Sequence, residues 1–292
     1  MKKRLVLCIA LLCMIPTIVF AKDSAVKNNQ KMIINSQSYE AATYRINDNN
    51  YFKLRDLAEL LKGTNKAFGI AYEASTDQVS LYLEDFYSSV GNELSKDMPE
   101  TGSAASSYKF YLYTYPNGDG RTYVAFLKTY PLYDNNYVKL REIGQLMNFY
   151  IGYDESTKSI VIDTNKTYVD PRSTDEKIET MIEFALSQIG RPYATLDSFP
   201  SYDCSGLVTT SMHVANLNTD VVRVITWSLP HQKGFVEIPM KELRRGDILN
   251  KDDDHIMIYL GDNKVVESVP GAGVRVANAR RDGYKAFRIK EN

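Results

Sequence analysis

Ser201-Tyr202-Asp203-Cys204-Ser205-Gly206-Leu207-Val208 is the stretch from which the rest of this chain can be read. An acid precedes a cysteine, a small Ser-Gly pair follows it, and an apolar run begins at Leu207. That order predicts a thiol in the first turn of a helix, where unsatisfied backbone N–H groups and the helix dipole stabilise a thiolate. Cys204 is also the single cysteine outside the N-terminal stretch that holds Cys8 and Cys13. If that stretch is an export signal, the mature chain keeps one thiol with no intramolecular partner. Such a thiol is an intermolecular link or a reactive nucleophile. A buried small hydrophobe is the plain alternative.

Residues 1–21 do read as a secretory signal. Lys2, Lys3 and Arg4 supply the charged start, a long apolar run begins at Leu5, and Val19-Phe20-Ala21 is a cleavage site before Lys22-Asp23-Ser24. An uncleaved membrane anchor competes, but Pro16 and the Ala21 exit favour cleavage. Leu7 and Leu12 precede the two early cysteines, not the small residue that lipid attachment needs, so a soluble mature chain is expected. The length suits two domains, and a hydrophobic fraction of 44% builds ordinary cores. A net charge of −1 gives no bulk attraction for nucleic acid or an anionic membrane.

Upstream, the chain repeats itself. Asn49-Asn50-Tyr51-Phe52-Lys53-Leu54-Arg55-Asp56-Leu57 returns as Asn135-Asn136-Tyr137-Val138-Lys139-Leu140-Arg141-Glu142-Ile143. Phe68-Gly69-Ile70-Ala71-Tyr72-Glu73 returns as Phe149-Tyr150-Ile151-Gly152-Tyr153-Asp154, and a matching turn and alternating strand follow each. Each copy predicts an extended segment, a short amphipathic helix and a β-hairpin. Leu54, Leu57, Leu60 and Leu61 share one helical face, as do Leu140, Ile143, Leu146 and Met147. These faces are expected to cover a small sheet made by the hairpins.

The paired Tyr-x-Lys-Leu-Arg-[Asp/Glu] helix and Tyr-[Glu/Asp]-x-Ser-Thr hairpin resemble the copper amine oxidase N-terminal-like (stalk) domain of secreted bacterial proteins, over residues 30–164. The resemblance implies a wall-associated role, as spacer or glycan binder. It implies no copper chemistry, and the region contains neither His nor Cys. Residues 165–174, with Asp170-Pro171, read as a linker.

From residue 175 the pattern changes. Ile178, Met181, Ile182, Phe184, Ala185 and Ile189 predict an amphipathic helix ending at Gly190, followed by Arg191-Pro192-Tyr193 and the Cys204 helix. His255-Ile256-Met257-Ile258-Tyr259-Leu260-Gly261 and Lys264-Val265-Val266-Glu267-Ser268 predict a hairpin turned at Gly261-Asp262-Asn263. Such a hairpin sets positions near 255 and 267 side by side, close enough for a carboxylate to hold an imidazole. Nucleophile, base and orienter are the parts of acyl transfer. His213 reads as incidental, His231 as a loop residue, and Asp252, Asp253 and Asp254 as a solvated loop. Three scattered His and one Cys show no metal-ligand spacing.

Four motifs in order, Ile189-Gly190-Arg191-Pro192-Tyr193, Asp203-Cys204-Ser205-Gly206-Leu207-Val208, Arg245-Gly246-Asp247-Ile248 and His255 to Gly261, resemble the NlpC/P60 family of papain-like cysteine peptidases. The resemblance covers residues 175–292. It implies an exported enzyme that cleaves peptidoglycan stem peptides next to γ-D-glutamyl residues. Cys204 would be the nucleophile, His255 the general base and Glu267 the third catalytic position. Tyr193, Asp203 and Ser205 would contact substrate, Asp203 by recognising a free amine. Two departures stand out: Ala194-Thr195-Leu196 follows Tyr193 where the family often has Trp-Gly-Gly, and Glu267 replaces the common His.

The expected fold is α+β, a papain-like NlpC/P60 domain behind a duplicated small α+β stalk. The expected protein is a secreted, monomeric cell-wall hydrolase that needs no cofactor and no metal. Peptidoglycan is its partner, with no nucleic acid, and no membrane once the signal is cleaved. The rivals are a non-catalytic wall-binding or adhesin protein, and an acyltransferase or amidase acting on another amide.

Overall fold

The computed structural model describes residues 22–115, 123–194, 201–217, 226 and 232–290. The expected export signal and His231 lie outside these residues. The N-terminal half contains β1 (Asp23–Ile34), β2 (Gln37–Ile46), β3 (Asn49–Lys53), α1 (Leu54–Leu60), β4 (Phe68–Glu73) and β5 (Gln78–Leu83). There follow β6 (Thr101–Ala104), β7 (Ser107–Thr114), β8 (Tyr123–Leu132), β9 (Asn135–Lys139), α2 (Leu140–Met147), β10 (Tyr150–Asp154) and β11 (Ser159–Asp163).

The Asn-Asn-Tyr-x-Lys motif is a strand in both copies, and the two strands pair with each other. The antiparallel register joins Tyr51 to Lys139, Phe52 to Val138 and Lys53 to Tyr137, which is unchanged when the copies are exchanged. The turns feeding these strands also match. Asn47 and Asp48 before β3, and Tyr133 and Asp134 before β9, all have positive φ, the backbone of a type I′ hairpin.

The expectation of a small sheet made by the hairpins needs correcting, because the sheet is large and takes in other strands. There is one path of strands, β10-β11-β1-β2-β3-β9-β8-β7-β5-β4, with β6 on β1. The hairpin of the second copy attaches in parallel to β1 of the first, and the hairpin of the first attaches in parallel to β7 of the second. The copies are thus interlocked. Leu54, Leu57, Leu60 and Leu61 enter the same core as Leu140, Ile143 and Met147, with Leu146 packed against it. Each fully buried leucine contributes about 2 kcal/mol.

The second half is α3 (Thr174–Ser187), α4 (Cys204–Val214), β12 (Phe235–Ile238), β13 (Ile248–Lys251), β14 (His255–Gly261), β15 (Lys264–Val269), β16 (Gly273–Asn278) and β17 (Lys285–Ile289). Its sheet runs β12-β17-β13-β14-β15-β16. The helix expected to end at Gly190 stops at Ser187. It starts with a capping box, in which Ser173 and Glu176 satisfy each other's backbone N–H. Met181, Ile182 and Ala185 of α3 and Leu207, Val208 and Met212 of α4 share a core with Ile256, Ile258 and Val266.

The expected linker is pinned. Arg172 is bidentate on Asp170 and also donates to the Ala215 carbonyl at 3.1 Å and to Gln145 Oε1. The Phe184 ring of α3 packs edge-on against Tyr108 and Phe126, with centroids 5.2 and 5.0 Å away. The N-terminal sheet therefore packs directly on the face of the second half that carries α3 and α4.

Candidate active site

Cys204 opens α4 as the spacing predicts. Asp203 is the N-cap, with its Oδ1 accepting from the Gly206 N–H at 2.5 Å and from Ser205 Oγ at 2.9 Å. Cys204 is the first helical residue, so its N–H is one of those a helix leaves without an internal acceptor. The thiol is buried at 9% exposure, on the rim of the core beneath α4.

His255 is the first residue of β14 and is buried. The neighbouring Cys204 thiol favours the charged form of its ring. Its Nε2 lies 2.8 Å from Glu267 Oε2, which leaves Nδ1 as the ring nitrogen available to the thiol. The pairing is diagonal, not directly opposite. The register joins Ile258 to Val266 and Tyr259 to Val265; continued, it sets Glu267 across from Met257, one diagonal step from His255.

Glu267 has no exposed surface. A buried carboxylate must be paired or it neutralises, and three cations serve this one. Arg275, directly across from it on β16, donates to Oε1 at 3.0 and 3.1 Å. Arg280 reaches both oxygens, and His255 takes its place beside them. Burial alone would raise the carboxyl, but the His255 and Arg280 bonds outweigh it and hold the group at about 2. For His255 burial works against the charged form, yet the neighbouring Cys204 and the bond to Glu267 raise it to about 9.

Neither arginine was foreseen from the sequence. The signal was present: a charged residue inside the apolar strand Val265-Val266-Glu267-Ser268 needs partners, and a turn at Pro270-Gly271-Ala272 brings Arg275 opposite it.

Tyr193 reaches the site on a segment that lies along β16. The Gly190 N–H donates to the Val274 carbonyl and the Val274 N–H to the Arg191 carbonyl, both at 2.9 Å. Gly273 permits this approach. Its φ is +65°, and a Cβ there would stand 2.1 Å from the Arg191 oxygen. Tyr193 is half-buried, and burial together with the neighbouring Cys204 and Asp203 raises its phenol above the ordinary range. Ser205 is buried with its hydroxyl on Asp203, so it bears on the site through that carboxylate. His213, at the far end of α4, is not part of this cluster.

The NlpC/P60 family model matches residues 190–291, the span that carries all six of these positions. Residues 190–291 are an NlpC/P60 family domain. No curated protein matches the chain. Among solved structures, similarity extends to the peptidoglycan hydrolase RipB of Mycobacterium tuberculosis, at 25% identity over 42% of this chain and 70% of that one, TM-score 0.35. It extends also to the P60 domain of an antigen of M. avium subspecies paratuberculosis, at 26% identity over 40% and 98%, TM-score 0.34. RipD of M. tuberculosis, described as a non-catalytic NlpC/p60 domain protein adapted to peptidoglycan binding, matches at 21% identity over 38% and 96%, TM-score 0.32. In this NlpC/P60 domain the expected residues Tyr193, Asp203, Cys204, Ser205, His255 and Glu267 all gather around the start of α4. Among the described residues no three His, Cys, Asp or Glu side chains are grouped to hold a metal. No described helix is long and apolar enough to cross a membrane.

Proposed function

We propose that the NlpC/P60 domain is a thiol hydrolase that cleaves amide bonds in peptidoglycan stem peptides, next to γ-D-glutamyl residues, from a secreted, wall-associated chain. The observation that carries this reading is His255, buried between the Cys204 thiol and a Glu267 carboxylate that two arginines keep ionised. A merely structural histidine has no need of a neighbouring thiol and a fully buried acid on one nitrogen.

The chemistry follows from the arrangement. The Cys204 sulfur attacks the amide carbonyl, forming a C–S bond, and the oxyanion takes hydrogen bonds from the Cys204 N–H at the start of α4, with Tyr193 alongside. The imidazolium of His255 gives its Nδ1 proton to the departing amine, and the C–N bond breaks to leave a thioester. Water then attacks the thioester carbon while His255 takes its proton, and the sulfur leaves with the electron pair of the C–S bond. Glu267 fixes the ring and stabilises each imidazolium state without itself accepting the proton.

The test is mass spectrometry of soluble fragments released from purified peptidoglycan by the wild type and by Cys204→Ala. New peptide ends that require the thiol are expected. No release from several wall chemistries would defeat the hydrolase reading.

A further inference from the structure

The repeat supplies an internal comparison that the catalytic reading does not use. In the first copy Lys53 and Asp56 are buried and form an ion pair at 3.0 Å. The chain after β5 crosses over this pair. The Asn92 carbonyl accepts from Lys53 Nζ at 2.8 Å, and the Leu94 N–H donates to Asp56 Oδ1 at 2.9 Å. Lysine and acid thus grip one carbonyl and one N–H of a peptide main chain.

The second copy has the same two positions, Lys139 and Glu142, at the start of α2. Glu142 Oε2 accepts the Lys128 N–H at 2.9 Å. Among the described residues no single segment reaches both groups as Asn92–Leu94 does in the first copy: the Lys128 N–H fills one Glu142 oxygen, and Lys139, with no ion pair within 4 Å, stands over the Tyr51 ring, 5.6 Å from its centroid. The pair instead lines a cleft of about 800 Å³ between α2, β8 and α4. A space of this size suits a ligand. Tyr202, Asp203 and Gly206, which flank Cys204 in the chain, also line it, while Cys204 itself does not. Burial draws the Lys139 ammonium below its ordinary range and pushes the Glu142 carboxyl up to about 7, against the opposing pull of Lys139, Lys128 and Arg172 on that carboxyl.

We propose that this cleft holds the main chain of a peptide, a carbonyl accepting from Lys139 and an N–H donating to Glu142, and that it guides one arm of the substrate to Cys204. The nature of the substrate rests on the hydrolase reading; the grip on main chain rests on the filled counterpart in the first copy. The N-terminal half would then be one wall of the substrate site and not a spacer.

The test is calorimetric titration of the Cys204→Ala protein with a synthetic sugar-free stem peptide and, separately, with a peptide-free wall oligosaccharide. The peptide is expected to bind, with Cys204→Ala/Lys139→Met about tenfold or more weaker and Lys139→Arg recovering most of the loss. Melting temperatures of all variants show whether weakened binding reflects lost fold. Equal peptide affinity with and without Lys139, or binding of the oligosaccharide alone, overturns the proposal. Wild type that releases no wall fragments, while Cys204→Ala binds peptide through Lys139, defeats the hydrolase reading and leaves the cleft standing. Thiol-dependent release with no rise in KM in Lys139→Met defeats the cleft alone.

Discussion

His255 Nε2 lies 2.8 Å from Glu267 Oε2, on a carboxylate with no exposed surface. Arg275 and Arg280 fix that carboxylate from its other side. The chain sequence places these four groups on one hairpin, its neighbouring strand and the segment that follows. A neutral third residue would leave two arginines and an imidazolium facing one another, so the carboxylate does more here than orient a ring.

Glu267→Gln should therefore lower kcat/KM on wall peptides by about 10²-fold or more, and slow iodoacetamide alkylation of Cys204 at neutral pH. The amide keeps the shape of the side chain and removes its charge. An alkylation rate equal to the wild type would show that Glu267 does not act on the thiol–imidazole pair.

Stability should fall at both ends of the pH range, for opposite reasons. His255 goes from an ordinary 6.5 to about 9 on folding, so its contribution is complete below pH 6.5 and is lost as pH rises through 9. Glu267 goes from 4.5 to about 2, so its contribution is complete above pH 4.5 and is lost as pH falls through 2. Melting temperature should drop by a few degrees between pH 6.5 and about 9.5. His255→Asn should flatten that alkaline limb and keep an acid limb, because Arg275 and Arg280 still face Glu267. An unchanged alkaline limb in His255→Asn would contradict the assignment.

What the sequence made legible follows from the range of the interactions involved. Asp203, Cys204 and Gly206 are neighbours along one helix start, so their geometry is local and the spacing sufficed. His255 and Glu267 are joined by a short hairpin, and the Gly261 turn gave their proximity, though not the diagonal register. Arg275 and Arg280 act on Glu267 from the next strand and the segment beyond, where partner choice depends on three-dimensional packing. The exchange of hairpins between repeats was hidden for the same reason. Val79-Ser80-Leu81-Tyr82 has an apolar alternation that states a buried face but does not name β7 of the other copy as its neighbour.

Substitution can separate the capping role of Asp203 from the recognition role that the family resemblance implies. As an N-cap it satisfies the Gly206 N–H, and Asp203→Ala should cost about 1 kcal/mol while Asp203→Asn costs little. As a recognition group for a free amine it needs its charge. Asp203→Asn should then melt like the wild type yet lose about tenfold or more in kcat/KM on stem peptides with a free α-amine, and little on N-acetylated ones. Equal losses on both peptides would assign Asp203 to capping alone.

Phe52 and Val138 sit face to face at the strand pair that joins the repeats, exposed by 1% and 0%. Because β4–β5 completes one half of the sheet and β10–β11 the other, neither copy owns a separable core. Phe52→Ala should cost about 3–5 kcal/mol, and the cost should appear in both copies at once. Hydrogen exchange measured by mass spectrometry should show residues 78–83 and 159–163 losing protection together, within a single melting transition. Loss confined to the first copy would mean that the copies fold as independent units. Joint loss would mean that the interlocked hairpins tie the two copies into one cooperative body, so that the wall of the cleft formed by α2 is set by residues from both.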